Sequence, residues 1–423
     1  MNVKELYPRV FLINKKQTLF VRLDSEGEVF VKIQPMEVYD VPHGIPCRLH
    51  EEYRYAYSAL TSHGGGLYSF EYGFPADGKY SVKLKCGEEL FYQGYLYAID
   101  NALAALRPFK GETHCHSNRS DGVLYPAELM LRYLCAGFDF AALTDHHKYA
   151  PSVEVGEVMG GLTDIFTVFH GEEVHNKGMG YFHVVNFNGD SSVNEIIEND
   201  DYVASEIDRI MSEREFPAGV NPYTAAYRIF VADHIKRAGG VSILAHPFWD
   251  AYGEYNMERR ELEYHLENGV FDALEIFAGN DHDGNGDNLE LALWADLRAQ
   301  GARIPIVGAS DSHNPDAKND RFNKNFTLVF ARDISDVPNA IQNGKSVAVK
   351  RRSDTDFFVI GEYSLVAYAR FLLREMYPTY AELASRVATE IKDGKLTRSE
   401  MVATLEAEAL DFRRRFFADG INA

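Results

Sequence analysis

Apolar and polar residues alternate in a series of runs near the start of the chain: TLFVRL (18–23), EVFVKI (28–33), YSFEYGF (68–74), YSVKLKC (80–86) and ELFYQGYLYAI (89–99). A period of two turns one face of each run to a core and the other to water, and the Gly, Asp and Pro residues between runs supply turns. Residues 1–105 are therefore expected to form a small antiparallel β-sandwich-like module. From about 109 the pattern changes. Apolar strand candidates FKGETHCH, FDFAALTDH, IFTVFHGEEV, YFHVVNF, VSILAH, DALEIFA, RIPIVGASDSH and FTLVFA follow one another with helical spacing between several of them. Tyr125–Ala136 and Asn288–Ala299 are the clearest helices, the second with Leu289, Leu291, Leu293, Trp294 and Leu297 at apolar positions. Strand–helix alternation to about 335 predicts an α/β barrel of parallel strands. Beyond it, Gly361–Tyr377, Thr379–Lys392 and Thr397–Ala418 read as amphipathic helices rich in Ala, Leu, Glu and Arg. Three parts are thus expected: a β-module over 1–105, a barrel over 106–350 and a helical C-terminal region over 351–423.

Composition narrows the function classes. At 423 residues the chain exceeds the size of a single core. A formal charge of −20 opposes binding to nucleic acid or an anionic membrane, and the one basic run, Lys350-Arg351-Arg352, is too short to reverse it. Charges interrupt the apolar stretches of MNVKELYPRVFLINKK, which reads as neither signal peptide nor spanning helix. Cys47, Cys86, Cys115 and Cys135 lack paired spacing and are expected to be free thiols. A soluble cytoplasmic protein is the expectation, with oligomeric state left open.

The chemistry gathers at the ends of the strand candidates. Twelve of the fifteen histidines fall between 114 and 313, a clustering that unrelated core or surface histidines do not explain. His114 and His116 share one face of an extended segment and can share one metal ion. Asp121 closes the loop Ser117–Gly122 and can fold back toward the same place. FDFAALTDHH ends in Asp145 and His146, which point oppositely, so one of them reaches the ion and Asp145 suits orienting a histidine through its other ring nitrogen. In HGEEV the glycine permits close approach and a carboxylate can bridge two cations. Glu172 and Glu173 compete for that role, and one of them should be an exposed strand-end charge. His183 lies inside YFHVVNF, His246 ends VSILAH, and Asp311 and His313 repeat the two-residue spacing. Carboxylates with imidazoles suit Zn, Mn or Fe. Cys115, between two ligand candidates, should point away from them.

The ordered motifs HCHSNRSDG, ALTDHH, HGEEV, FHVVNF, LAHP and GASDSH resemble the PHP superfamily, named for polymerase and histidinol phosphatase, over roughly 110–335. The resemblance implies a distorted barrel of about seven strands that holds two or three divalent ions and hydrolyses phosphate esters. It further implies that His114, His116, Glu173 and Asp311 surround one ion, that Asp121, His146 and His313 hold a second, and that Glu173, His183 and His246 hold a third. Glu173, not Glu172, is then the bridge. His147 departs from the small or variable residue expected after Thr-Asp-His and is assigned to face substrate. Arg119, Lys148, Lys177 and Arg321 fall in loops after strand candidates and could clamp a phosphate.

Three divalent ions against Asp121, Glu173 and Asp311 leave a local charge of about +3, which draws a small phosphorylated substrate despite the acidic chain. A water activated by two cations would attack phosphorus without a covalent intermediate. Two rivals stand beside this: hydrolysis of a carboxylic ester, carbamate or amide by the same metals, and a ligand-binding or scaffold protein whose barrel has lost catalysis.

Overall fold

The computed structural model describes residues 1–37, 55–175, 182–251, 253–277 and 285–422. Lys177, His43, His50 and Cys47 lie outside them. The fold is mixed α/β. It divides into one unit of 1–107 with 409–423 and another of 108–408; residues 351–408 thus group with the residues expected to form a barrel and 409–423 with the N-terminal residues.

The first unit contains a four-stranded sheet, in spatial order Val3–Tyr7, Lys16–Leu23, Leu67–Gly73 and Thr61–Ser62. Its five-stranded sheet runs Val10–Leu12, Glu89–Ile99, Gly78–Cys86, Val29–Pro35 and Ser58–Ala59. The alternation read from the sequence is what packs them: Leu19 and Val21 of the first sheet share one apolar cluster with Val31, Val82, Leu84 and Leu96 of the second. One pairing departs from the antiparallel expectation. Val10–Leu12 runs parallel to Glu89–Ile99, which the long intervening chain allows.

In the second unit a six-stranded sheet has the order Thr167–Phe169, Phe140–Ala142, Arg107–Glu112, Asn325–Ala331, Ser346–Arg351 and Phe357–Ile360. A five-stranded sheet has the order Gly171–His175, His183–Phe187, Val241–Leu244, Ala273–Glu275 and Ile306–Val307. Several of these strands are buried at every residue, which is why they read as continuous apolar runs and not as alternating ones. The strands are not all parallel as expected. His183–Phe187 is antiparallel to both its neighbours; toward Gly171–His175 the few residues between 175 and 183 cannot make the crossover that a parallel pair needs. Phe140, Val185, Ile243, Val307 and Val329 form a shared core. Two parallel bridges, His146 with Glu173 and Cys115 with Ser312, join the two sheets. The predicted helices form as Pro126–Cys135 and Asn285–Ala299, and Tyr363–Glu375, Tyr377–Asp393 and Glu400–Phe416 follow.

Candidate metal centre

All nine ligand candidates come together. His114 and His116, two and four residues beyond strand Arg107–Glu112, are both fully buried. His116 Nε2 is 3.0 Å from Asp311 Oδ1 and 3.3 Å from Glu173 Oε2. His114 Nε2 is 3.3 Å from the same Glu173 oxygen and 3.4 Å from Asp311 Oδ1. On the solvent side Asp121 lies 3.4 Å from His146 Nε2 and 3.3 Å from His313 Nε2. On the third side Glu173 Oε1 lies 2.7 Å from His183 Nδ1 and 3.3 Å from His246 Nε2. These residues fall into overlapping groups able to hold a metal ion: His114, His116, Glu173 and Asp311; His116, Asp121, His146 and His313; and Glu173, His183 and His246.

The donor set fits cations. His114 Nε2, His116 Nε2, Glu173 Oε2 and Asp311 Oδ1 are buried with no hydrogen-bond partner, although each nitrogen stands 3.0–3.4 Å from each oxygen. Lone pairs that converge on one space without pairing leave a desolvation cost that only a positive charge relieves. The proton equilibria agree. Burial opposes ionisation of Glu173 and Asp311, yet the surrounding histidines hold both carboxyls well below the usual range. Burial likewise disfavours the charged rings of His146 and His313. Glu173 and Asp121 nevertheless carry His146 up to about 10, and Asp121 and Asp311 carry His313 to about 9. Burial wins at His116 and His183, which fall to about 3 and about 4. Some imidazoles thus hold protons where three carboxylates call for cations.

Supporting groups fix the ligands. Glu275, wholly buried at the end of Ala273–Glu275, lies 2.9 Å from His114 Nδ1 and so directs Nε2 into the cluster. Glu112 accepts the N–H groups of His114 and Ser310, and burial raises its carboxyl to about 8. Asp320 accepts from Ser312 Oγ and from the N–H groups of His313 and Asn314. Asp145 does not orient a histidine as expected. It accepts from Ser117 N, Ser117 Oγ and Ser120 Oγ, each at 2.7 Å, and so shapes the loop that delivers Asp121; the histidine-orienting carboxylate is Glu275. Gly122 closes that loop where a Cβ would come within 2.3 Å of His116 O.

Strand Gly171–His175 separates the two glutamates. Glu172 is not an exposed charge: it is fully buried on the other face and accepts from Asn186, Ser192, Val193 N and Asn194. Gly171 grants the close approach expected of it, since a Cβ would stand 3.0 Å from Thr144 and 3.1 Å from Asn186 O. Cys115 turns away as expected and donates Sγ–H to Ala142 O. Asp311 and His313 do not continue a strand, because Ile306–Val307 has ended and Asp311 has φ 47°; His246 at 25° and His147 at 59° share this left-handed backbone. The strand reading missed His175, which forms a further group with His146 and Glu173. Its position two residues after Glu173 was the available signal.

Beside the cluster a cavity of about 440 Å³ is lined by Arg119, His147, Lys148, Tyr149, Ser192 and Glu195 among others. Arg119 and His147 are exposed, and Lys148 Nζ donates to Arg119 O. Arg321 does not line this cavity; its carbonyl accepts from Lys324 N and Asn325 N. A larger cavity, about 510 Å³ near Trp294, Arg298 and Lys345, contains none of the nine residues.

No family model matches the chain. Over 80 residues, 17% of its length, it is 38% identical to the 5'-3' exoribonuclease of Haemophilus influenzae, of which the match spans 29%. Among solved structures it is similar to a two-domain protein of Bacteroides vulgatus, named for a predicted PHP-like metal-dependent phosphoesterase. There the identity is 19% and the TM-score 0.41, over 64% of this chain and 71% of that one. A structure from Bifidobacterium adolescentis, also named as a metal-dependent phosphoesterase, matches at 19% identity and a TM-score of 0.35, over 49% and 89%. An amidohydrolase of Chromobacterium violaceum with bound sulfate and no metal matches at 21% identity and 0.33, over 49% and 88%.

Proposed function

We propose that the chain is a metal-dependent hydrolase of the PHP type, acting on a small phosphate ester. The observation that supports it is the convergence of nine His, Asp and Glu residues on unpaired buried donor atoms around Glu173. On this reading the strands bridged through His146–Glu173 and Cys115–Ser312 are a distorted seven-strand barrel, with a β-sandwich-like module before it and a helical extension after. Two to three divalent ions, Zn, Mn or Fe, would be held by His114, His116 and Asp311, by Asp121, His146 and His313, and by His183 and His246, with Glu173 common to the first and third sets. Bound ions supply Lewis acidity and lower the pKa of water. The chain's own residues do the placing. Glu275 holds His114, Asp145 holds the loop bearing Asp121, and Arg119, Lys148 and His147 line the cavity where the anionic part of a substrate would rest. The charge left by three ions over three carboxylates, about +3, suits a phosphate dianion. A cytoplasmic setting accords with free thiols at Cys86, Cys115 and Cys135, and no helix among the described residues is long and apolar enough to cross a membrane.

The short likeness to an exoribonuclease favours a second reading, a phosphodiester at the end of an oligonucleotide. The net charge of −20 counts against it. One panel separates them: kcat/KM for an aryl phosphate and a small phosphorylated metabolite against a 5'-phosphorylated oligoribonucleotide and an aryl acetate, with metal content measured on the same samples. The small phosphate esters should lead, and inorganic phosphate should inhibit competitively. An oligoribonucleotide turned over far faster establishes the second reading. An acetate turned over fastest, without phosphate inhibition, overturns both.

A further inference from the structure

His175 and His183 are directly opposite in the antiparallel pairing of their strands, and His175 shares a face with Glu173 two residues before it. Its ring lies against those of His183 and His147, with centroids 3.9 and 4.3 Å away. Its Nε2 is in close contact with His146 Nδ1 and 3.8 Å from Glu173 Oε2. The other nitrogen of His146, Nε2, looks the opposite way toward Asp121. His146 therefore stands between two donor groups, one outward with His116, Asp121 and His313 and one inward with Glu173 and His175. A neutral imidazole has one lone pair and one N–H, so it can give a lone pair to only one group at a time.

We propose that His146 and His175 create two alternative seats for one cation. The outer seat is completed by Asp121 and His313, the inner seat by Glu173 and His175, and the tautomer of His146 selects between them. The proposal rests on reading the cluster as a metal centre. The seats differ in character. Asp121 is 56% exposed and His313 24%, so an ion in the outer seat meets solvent and substrate. Glu173 is wholly buried and the inner histidines are each 19% exposed, so an ion there is withdrawn behind the ring of His146. Two imidazoles and a carboxylate suit the same borderline cations as the rest of the cluster.

Metal stoichiometry tests this without turnover. Full-length wild type, Asp121→Ala, His175→Gln and the double variant are dialysed to equilibrium against Zn²⁺, and protein-bound metal is counted by elemental analysis. Each single variant should keep the wild-type number of equivalents, because the ion occupies the remaining seat. The double variant should lose one equivalent. With Co²⁺ in place of Zn²⁺, Asp121→Ala should change the visible absorption bands of the bound ion, and adding His175→Gln should remove that contribution. A double variant that keeps the full count overturns the proposal, as does either single variant that loses an equivalent. Circular dichroism confirms that each protein is folded, and His175→Asn replaces His175→Gln if the latter is not. Wild type that binds less than one equivalent overturns the metal-centre reading itself, a result distinct from failure of the two seats.

Discussion

Glu172 and Glu173 are neighbours on one strand and both are fully buried, yet the two faces they occupy have opposite chemistry. Around Glu172 four neutral donors from Asn186, Ser192, Val193 and Asn194 close on the two oxygens. Around Glu173 stand imidazoles, and Oε2 finds no hydrogen bond. Burial alone does not distinguish a functional carboxylate from a structural one. What distinguishes them is whether neighbours satisfy its charge or add lone pairs of their own.

Substitutions on the two faces should separate sharply. Glu173→Gln is expected to have the largest effect, abolishing turnover and depleting two ions together; loss of a single ion in elemental analysis would mean that it does not bridge. Glu275→Gln should follow, weakening metal affinity by about 10- to 100-fold because His114 loses the partner that fixes its ring. Competition with a chelator gives that number. Glu172→Ala should leave metal content unchanged and cost about 1–3 kcal/mol in urea unfolding, since four buried donors lose their acceptor. If it instead strips metal, the two faces are coupled and the contrast fails.

The smallest effect concerns pH in the metal-free protein. His146 and His313 keep their protons up to about 10 and about 9, whereas unfolded histidines titrate near 6.5. Their stabilisation is complete below about pH 6.5 and is lost as pH rises through 9 and 10. His116 and His183, at about 3 and about 4, act in reverse. As pH falls below 6.5 the unfolded chain takes up protons that these folded rings refuse. Tm of the metal-free protein should therefore fall on both sides of about pH 6.5, and excess Zn²⁺ should remove the alkaline loss. An alkaline fall that persists with metal bound would show that other groups cause it.

Strand ends were legible because an apolar run that stops at a histidine or acid is a local signal, and seven of the nine ligand candidates stood at or just past such stops, with Asp121 in a polar loop and His183 inside its run. Partners distant in sequence were not. Glu275 stands in the middle of DALEIFA, and nothing local says that it meets His114, 161 residues away. Asp145 reads as a histidine's partner until Ser117 and Ser120 are seen to claim both its oxygens. The burial of Glu172 depends on Ser192–Asn194, the capped start of the short helix Val193–Ile197, and nothing local to that helix says which carboxylate it meets. Strand direction escaped for a different reason: the apolar runs of parallel and antiparallel buried strands look alike, and only the short span before His183 hinted at reversal.

His147, His246 and Asp311 hold backbone angles that glycine or asparagine adopts more readily, at a cost of about 1–2 kcal/mol for each side chain so constrained. A hunt for heat-resistant variants of the metal-free chain would therefore tend to enrich replacements at these three positions. Such a campaign would improve the scaffold by erasing its chemistry, and only selection with metal and substrate both present would hold the two together.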